Sequence, residues 1–151
     1  MNISEFTQKS VQAVQDLEKV AYEYGNQEVE QEHLLYALLT QEDSLILKLI
    51  EKMEINKDYF INTVKKALDA KVKVSGGDLR FGQYLNKSLV NAENEAKAMG
   101  DEYVSVEHLF LSLLTQPSPS MKKIFNEFGI TRERFLQALS TVLSDYYGLL
   151  L

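Results

Sequence analysis

The sequence predicts an all-α fold of eight helices, arranged as two four-helix repeats related by a pseudo-twofold. Three observations point there. A shift of 75 residues lays the second half of the chain over the first without a gap, from Phe6 over Phe81 to Leu68 over Leu143, with 17 identities in 63 pairs. About four would be expected at average amino-acid usage. Apolar residues recur at i, i+3, i+4 and i+7 almost throughout, the pattern of a helix with one buried face. No convincing alternation of the kind a strand needs interrupts them.

The 151 residues fit a single domain, 1–151, able to bury roughly two-thirds of its unfolded surface. Apolar residues at 45% and charged residues at 25% are globular values. No apolar run approaches the roughly 20 residues that span a bilayer, and Met1 to Ser10 lacks the apolar core of a signal peptide. The chain has no cysteine, which removes disulfides, thiolate nucleophiles and thiolate metal sites and makes a cytoplasmic protein the economical reading. A net charge of −6, with Lys and Arg interspersed among acids, argues against a nucleic-acid partner.

The first helix starts at Ser4 or Thr7, either of which can cap it, turns Val14, Leu17, Ala21 and Tyr24 inward, and stops at Gly25. Its duplicate carries Leu85, Leu89, Ala92, Ala96 and Met99 before Gly100. In the second helix of each repeat the buried stripe is Leu34, Leu35, Leu38 and Leu39, or Val106, Leu109, Phe110, Leu113 and Leu114. Ser105 is a good cap for the later copy; Glu30 suits the helix dipole but caps less well. The third helix pairs Ile46, Leu49, Ile50 and Met53 with Met121, Ile124, Phe125 and Phe128. Its second copy has Ser118 as cap, Pro119 as first helical residue and Gly129 as stop. The fourth begins at Asn56 or Thr131 and carries Phe60, Val64 and Leu68, or Phe135, Leu139 and Leu143. Repeat one thus covers about 4–69 and repeat two about 81–147. Between them a linker over about 70–80 alternates Val72 and Val74 with Lys71 and Lys73 before Ser75-Gly76-Gly77.

Chemistry is sparse. No Gly-Lys pair exists, so the phosphate loop of an ATPase is absent, and Gly76-Gly77-Asp78 is too short to cradle a phosphate. The repeated Glu32-His33 and Glu107-His108 pairs are the one place an enzyme or metal site could start. Adjacent helical residues diverge by about 100°, so neither pair closes easily on one ligand, and the chain has only two histidines. Each histidine precedes a small residue, Ala37 or Ser112, by four positions, which favours a packed imidazole bonded to nearby backbone. Four residues after each glutamate stands Tyr36 or Leu111, outside the main stripe. A carboxylate beside an apolar spot on both copies would make a rim and floor for a peptide.

The segments Val29-Glu30-Gln31-Glu32-His33-Leu34-Leu35 and Tyr103-Val104-Ser105-Val106-Glu107-His108-Leu109-Phe110, with Phe6-Thr7 and Met99-Gly100-Asp101-Glu102, resemble the paired motif of the Clp N-terminal repeat domain. That domain stands at the front of the Hsp100 AAA+ unfoldases, and the likeness extends over roughly residues 4 to 143. Val74-Ser75-Gly76-Gly77 and the run from Gly100 to His108 are most similar to the ClpB disaggregase branch, with ClpC the next. The resemblance implies a non-enzymatic module that captures unfolded or aggregated clients, or adaptors, for a homohexameric motor. It implies a domain monomeric in isolation, with no nucleic acid, membrane or cofactor of its own, ATP and Mg belonging to the ATPase modules.

Carried over by position, the residues tied to substrate handling are Thr7, Asp101 and Glu107, with Glu32 as the mate of Glu107. In ClpC-type relatives this glutamate pair reads phosphoarginine; here Gln31 and Val106 stand where that motif commonly has Thr. The expected substrate-binding set is therefore Thr7, Glu32, Tyr36, Asp101, Glu107 and Leu111. The family continues into a helical linker and two ATPase modules, so the ending Asp145 to Leu151, DYYGLLL, reads as a piece of a longer unfoldase.

Overall fold

The computed structural model describes residues 3–74 and 76–147. Ser75 of the linker and the last four residues of the tail lie outside the described residues. Eight α-helices are found among them: α1 (Gln8–Glu23), α2 (Gln31–Leu39), α3 (Leu45–Lys52), α4 (Lys57–Asp69), α5 (Gln83–Ala98), α6 (Val106–Thr115), α7 (Pro119–Phe128) and α8 (Arg132–Tyr147). The starts of α5, α6 and α8 fall 75 residues after those of α1, α2 and α4, as the register requires.

Local chemistry sets these ends. Thr7, not Ser4, caps α1, its Oγ1 accepting from the Ser10 amide, while Ser4 sits in a 3-10 turn over Ile3–Glu5. Ser44, Asn56 and Ser118 cap α3, α4 and α7 through their side chains, each satisfying an amide that has no partner within its helix. Gly129 ends α7 in the left-handed region at φ 64°. The matching position in the first half, Glu54, takes the same conformation at φ 62° despite its side chain.

One apolar core runs through both halves. The inward faces are those the periodicity gave, except that Met99 is exposed and Val14, Tyr24, Leu114, Phe128 and Leu143 are only half-buried. Phe110 stacks on Phe135 at 4.5 Å and meets Phe125 edge-on at 5.8 Å. The halves pack reciprocally: α1 meets α6 as α5 meets α2, and α3 meets α8 as α7 meets α4.

Two short backbone pairings, which the helical pattern did not foretell, join the halves. β1 (Glu28–Val29) runs parallel to β2 (Arg80–Phe81), with Val29 opposite Phe81, and an isolated parallel bridge sets Phe6 opposite Val104. The two exchange under the 75-residue shift. The Thr7 amide donates to the Val104 carbonyl at 2.9 Å, and the Gly82 amide donates to the Val29 carbonyl at 2.8 Å. Strands of two residues carry no readable period, so sequence pattern alone is blind to them.

Candidate functional site

The Phe6–Val104 bridge brings the start of α1 against the start of α6. Between them lies a groove of about 440 Å³ lined by Thr7, Gln8 and Lys9, by Gln41, Asp43 and Leu45 of the α2–α3 connection, and by Ser105, Val106 and Glu107. Past Gln8, Lys9 and Gln41 it continues into a polar concavity of about 430 Å³ beside Gln12, Asp16 and Glu42. Val106 and Leu45 supply apolar floor; Thr7 and Glu107 stand half-buried on its sides. The Lys9 ammonium donates to the Glu42 carbonyl. Lys48 pairs with Asp43 at 2.8 Å and, mainly by hydrogen bonding, holds that carboxyl below the usual range. Glu107 has no hydrogen-bond or ion-pair partner among the described residues.

Asp101 stands behind this wall. The buried His108 ring accepts the Ser105 amide at Nδ1, 2.8 Å, and donates from Nε2 to the Asp101 carboxylate, 2.7 Å. An Nδ1 that accepts carries no hydrogen, so these bonds select the neutral Nε2–H tautomer. The first half repeats the device: His33 Nδ1 accepts the Glu30 amide at 2.8 Å, and Nε2 donates to Asn26 Oδ1 at 2.9 Å. Both imidazoles fill the third position of a capping box, and with both nitrogens engaged neither is available as a base or metal ligand. Burial, reinforced by the Lys71 ammonium, lowers the His33 pKa to about 4.

The remaining expected residues are placed otherwise. Leu111, expected outside the stripe, is fully buried in the core, and Glu32 is 1% exposed. These two correct the expectation of a rim and floor repeated on both copies. Glu32 accepts from the Ser120 hydroxyl and lies 3.3 Å from the Lys71 ammonium, which also bonds Glu30 at 2.8 Å. Gln31 completes the closure. Its Nε2 donates to Ser88 Oγ at 2.8 Å and to the Gln116 carbonyl at 2.9 Å, and its Oε1 accepts from the Ser118 amide at 2.8 Å. Tyr36 packs edge-on against Tyr24 at 5.7 Å. Burial, with the hydrogen bond that the Tyr24 hydroxyl donates to Tyr36, pushes that hydroxyl well above its usual value.

The structure therefore unites Thr7 and Glu107 in one groove, sets Asp101 behind it, and keeps Glu32, Tyr36 and Leu111 in internal contacts. Sequence reasoning missed Leu45, Ser105, Val106 and the closing trio Gln31, Lys71 and Ser120. The available signal was the departures from repetition, above all Gln31 opposite Val106. No group of three or more His, Asp or Glu able to hold a metal occurs among the described residues, and no helix among them is long and apolar enough to cross a membrane.

Comparison with known proteins agrees with the fold. The sequence model of the Clp repeat (R) N-terminal domain matches residues 5–128. The chaperone protein ClpB of Nitratidesulfovibrio vulgaris is 38% identical over 148 residues, and that of Clostridium tetani 39% over 147; each match covers 94% of this chain. The chain spans 17% of the length of either relative. Among solved structures, the Hsp104 N-terminal domain of Candida albicans aligns with a TM-score of 0.77 at 21% identity, covering 89% of this chain and 88% of that one. A ClpV N-domain in complex with a VipB peptide aligns with a TM-score of 0.74 at 22% identity, covering 95% and 89%.

Proposed function

For a chain that belongs to the Clp repeat (R) N-terminal domain family, we propose that the groove between Thr7 and Glu107 receives an extended stretch of an unfolded or aggregated protein. The domain acts as the client-capturing module of a ClpB-like, ATP-driven disaggregase. The observation that carries this reading is the pairing of apolar floor, Leu45 and Val106, with a carboxylate, Glu107, that has no partner among the described residues, in one open groove built from both halves. A small site of this kind binds weakly, because an ordered client loses chain entropy. Six tethered copies on a hexamer would compensate through effective concentration. The peptide complex of a ClpV N-domain of the same fold supports a protein partner for this one.

In this reading the domain is not itself an enzyme and needs no cofactor; ATP and Mg act in ATPase modules of the wider, cytoplasmic protein. The alternative, a ClpC-type receptor gripping phosphoarginine between Glu32 and Glu107, is disfavoured by the internal bonds Glu32 already makes to Ser120 and Lys71. Titrating the labelled domain with a permanently unfolded protein tests the proposal. Shifts should cluster at Thr7, Gln8, Val106 and Glu107 and fall away in Glu107→Ala. Shifts elsewhere only, or none, would reject it.

A further inference from the structure

Two hydroxyls at the start of α1 fix what the Thr7 side of the groove can offer. Ser10 is fully buried, and its oxygen lies 2.7 Å from the Val104 carbonyl and 2.9 Å from the Thr7 carbonyl. A carbonyl oxygen only accepts, so the single Ser10 hydroxyl proton is directed at these two. The Thr7 hydroxyl, 3.0 Å from Ser10 Oγ, is then the donor of that contact. The Thr7 oxygen also accepts the Ser10 amide at 3.3 Å. With its proton held inward, it has only a lone pair left for the groove it lines. We infer that Ser10 is a positioning residue that makes Thr7 a hydrogen-bond acceptor, and that the group accepted is a main-chain N–H of the extended client. This rests on the reading of the groove as the client site and adds to it the part of the client that is recognised there.

The repeat shows that this hydroxyl pair is not needed to build the helix start. In the 75-residue register Thr7 faces Gly82, and Ser10 faces Leu85, which is equally buried. α5 begins there without a side-chain cap. Its lead-in still pairs with the other half, the Gly82 amide meeting the Val29 carbonyl at 2.8 Å as the Thr7 amide meets Val104 at 2.9 Å. An apolar side chain therefore serves at this place in the fold, whereas a buried hydroxyl is costly unless it is bonded. The pair stands at the groove of Thr7 and is absent from the matching helix start. Main-chain N–H is the donor that unfolded chains of every sequence share, one on each residue except proline. An acceptor fixed in place suits a module that captures clients with no common side chain.

A capped heptapeptide with one central leucine among alanines tests this, the leucine setting its register on the apolar floor of Leu45 and Val106. It is compared with analogues in which each internal amide in turn is replaced by an ester, which keeps the shape and removes one N–H. Amide shifts of the domain give the affinities. One ester should bind the wild type roughly fivefold more weakly than the parent peptide, as expected for one neutral hydrogen bond. Thr7→Val should bind that ester and the parent alike. Ser10→Ala should narrow the gap, because the released Thr7 proton can turn to the groove and meet the ester oxygen. A Ser10 that only stabilised the fold would lower both affinities together and leave their ratio unchanged, and that result would overturn its positioning role. Ser10→Cys, nearly isosteric and a weak acceptor, gives the same reading should Ser10→Ala fail to fold. Equal binding of the parent and every ester to the wild-type groove would overturn the acceptor assignment and leave the client reading standing. If the parent peptide shifts none of Thr7, Gln8 and Val106, both fall together.

Discussion

The His108 ring ties the Asp101 carboxylate to the Ser105 amide, 2.7 Å on one side and 2.8 Å on the other. Asp101 thus fixes the start of α6, and so the place of Val106 and Glu107, without lining the groove. Asp101→Ala should orphan a buried N–H and cost about 1–3 kcal/mol in urea unfolding. Asp101→Asn should recover most of that, because Asn26 serves His33 in the same way. Equal losses in the two variants would show that the acceptor does not matter.

Acid should weaken the fold through His33. Its folded pKa lies near 4 because burial and Lys71 disfavour the imidazolium, whereas in the unfolded chain it titrates near the ordinary value of about 6.5. Between these values the unfolded state binds the extra proton, so stability is lost as pH falls from about 6.5 through 4. The loss amounts to roughly 3 kcal/mol when complete. His33→Gln should flatten that window in denaturation measured across pH. Glu95, held below the usual carboxylate range chiefly by its hydrogen bond to Arg132, would still give a separate loss at lower pH.

The Glu95–Arg132 pair joins α5 to α8 through two bonds of 2.7 and 2.9 Å, with the Thr115 hydroxyl as a further donor. Glu95 is buried while the Arg132 side chain is 42% exposed, so the pair lies between a surface bridge and a core one. Arg132→Met should cost about 2 kcal/mol by leaving the carboxylate unpaired. A double-mutant cycle with Glu95→Gln should show strong coupling; additive losses would contradict it.

Glu54 and Gly129 offer a comparison within one chain. Both sit in the left-handed region at equivalent helix ends, where a β-carbon costs about 1 kcal/mol. Gly129→Ala should therefore lower the melting temperature, and Glu54→Gly should hold or raise it. A loss of stability in Glu54→Gly would mean that its side chain makes up for the strain.

Much of this was legible in the sequence because helices have a period and caps have a chemistry. Thr7, Ser118-Pro119 and Gly129 could be read locally, and the 75-residue register fixed which helices correspond. The closure of the first half could not be read that way. Lys71 is 39 residues from Glu32, and Ser120 is 88 away; nothing in a helical repeat pairs them. For the same reason Leu111 passed for a surface residue: its burial comes from the neighbouring helices and not from its own stripe.

The groove itself is tested most directly by proximity crosslinking. The chain has no cysteine, so Gln8→Cys on the groove and Asn94→Cys on the exposed face of α5 can each carry a single photocrosslinker. Upon illumination with an unfolded protein, Gln8→Cys should capture client, Asn94→Cys should not, and Glu107→Ala should reduce the capture at Gln8. Equal capture at both positions, indifferent to Glu107, would contradict a client site between Thr7 and Glu107.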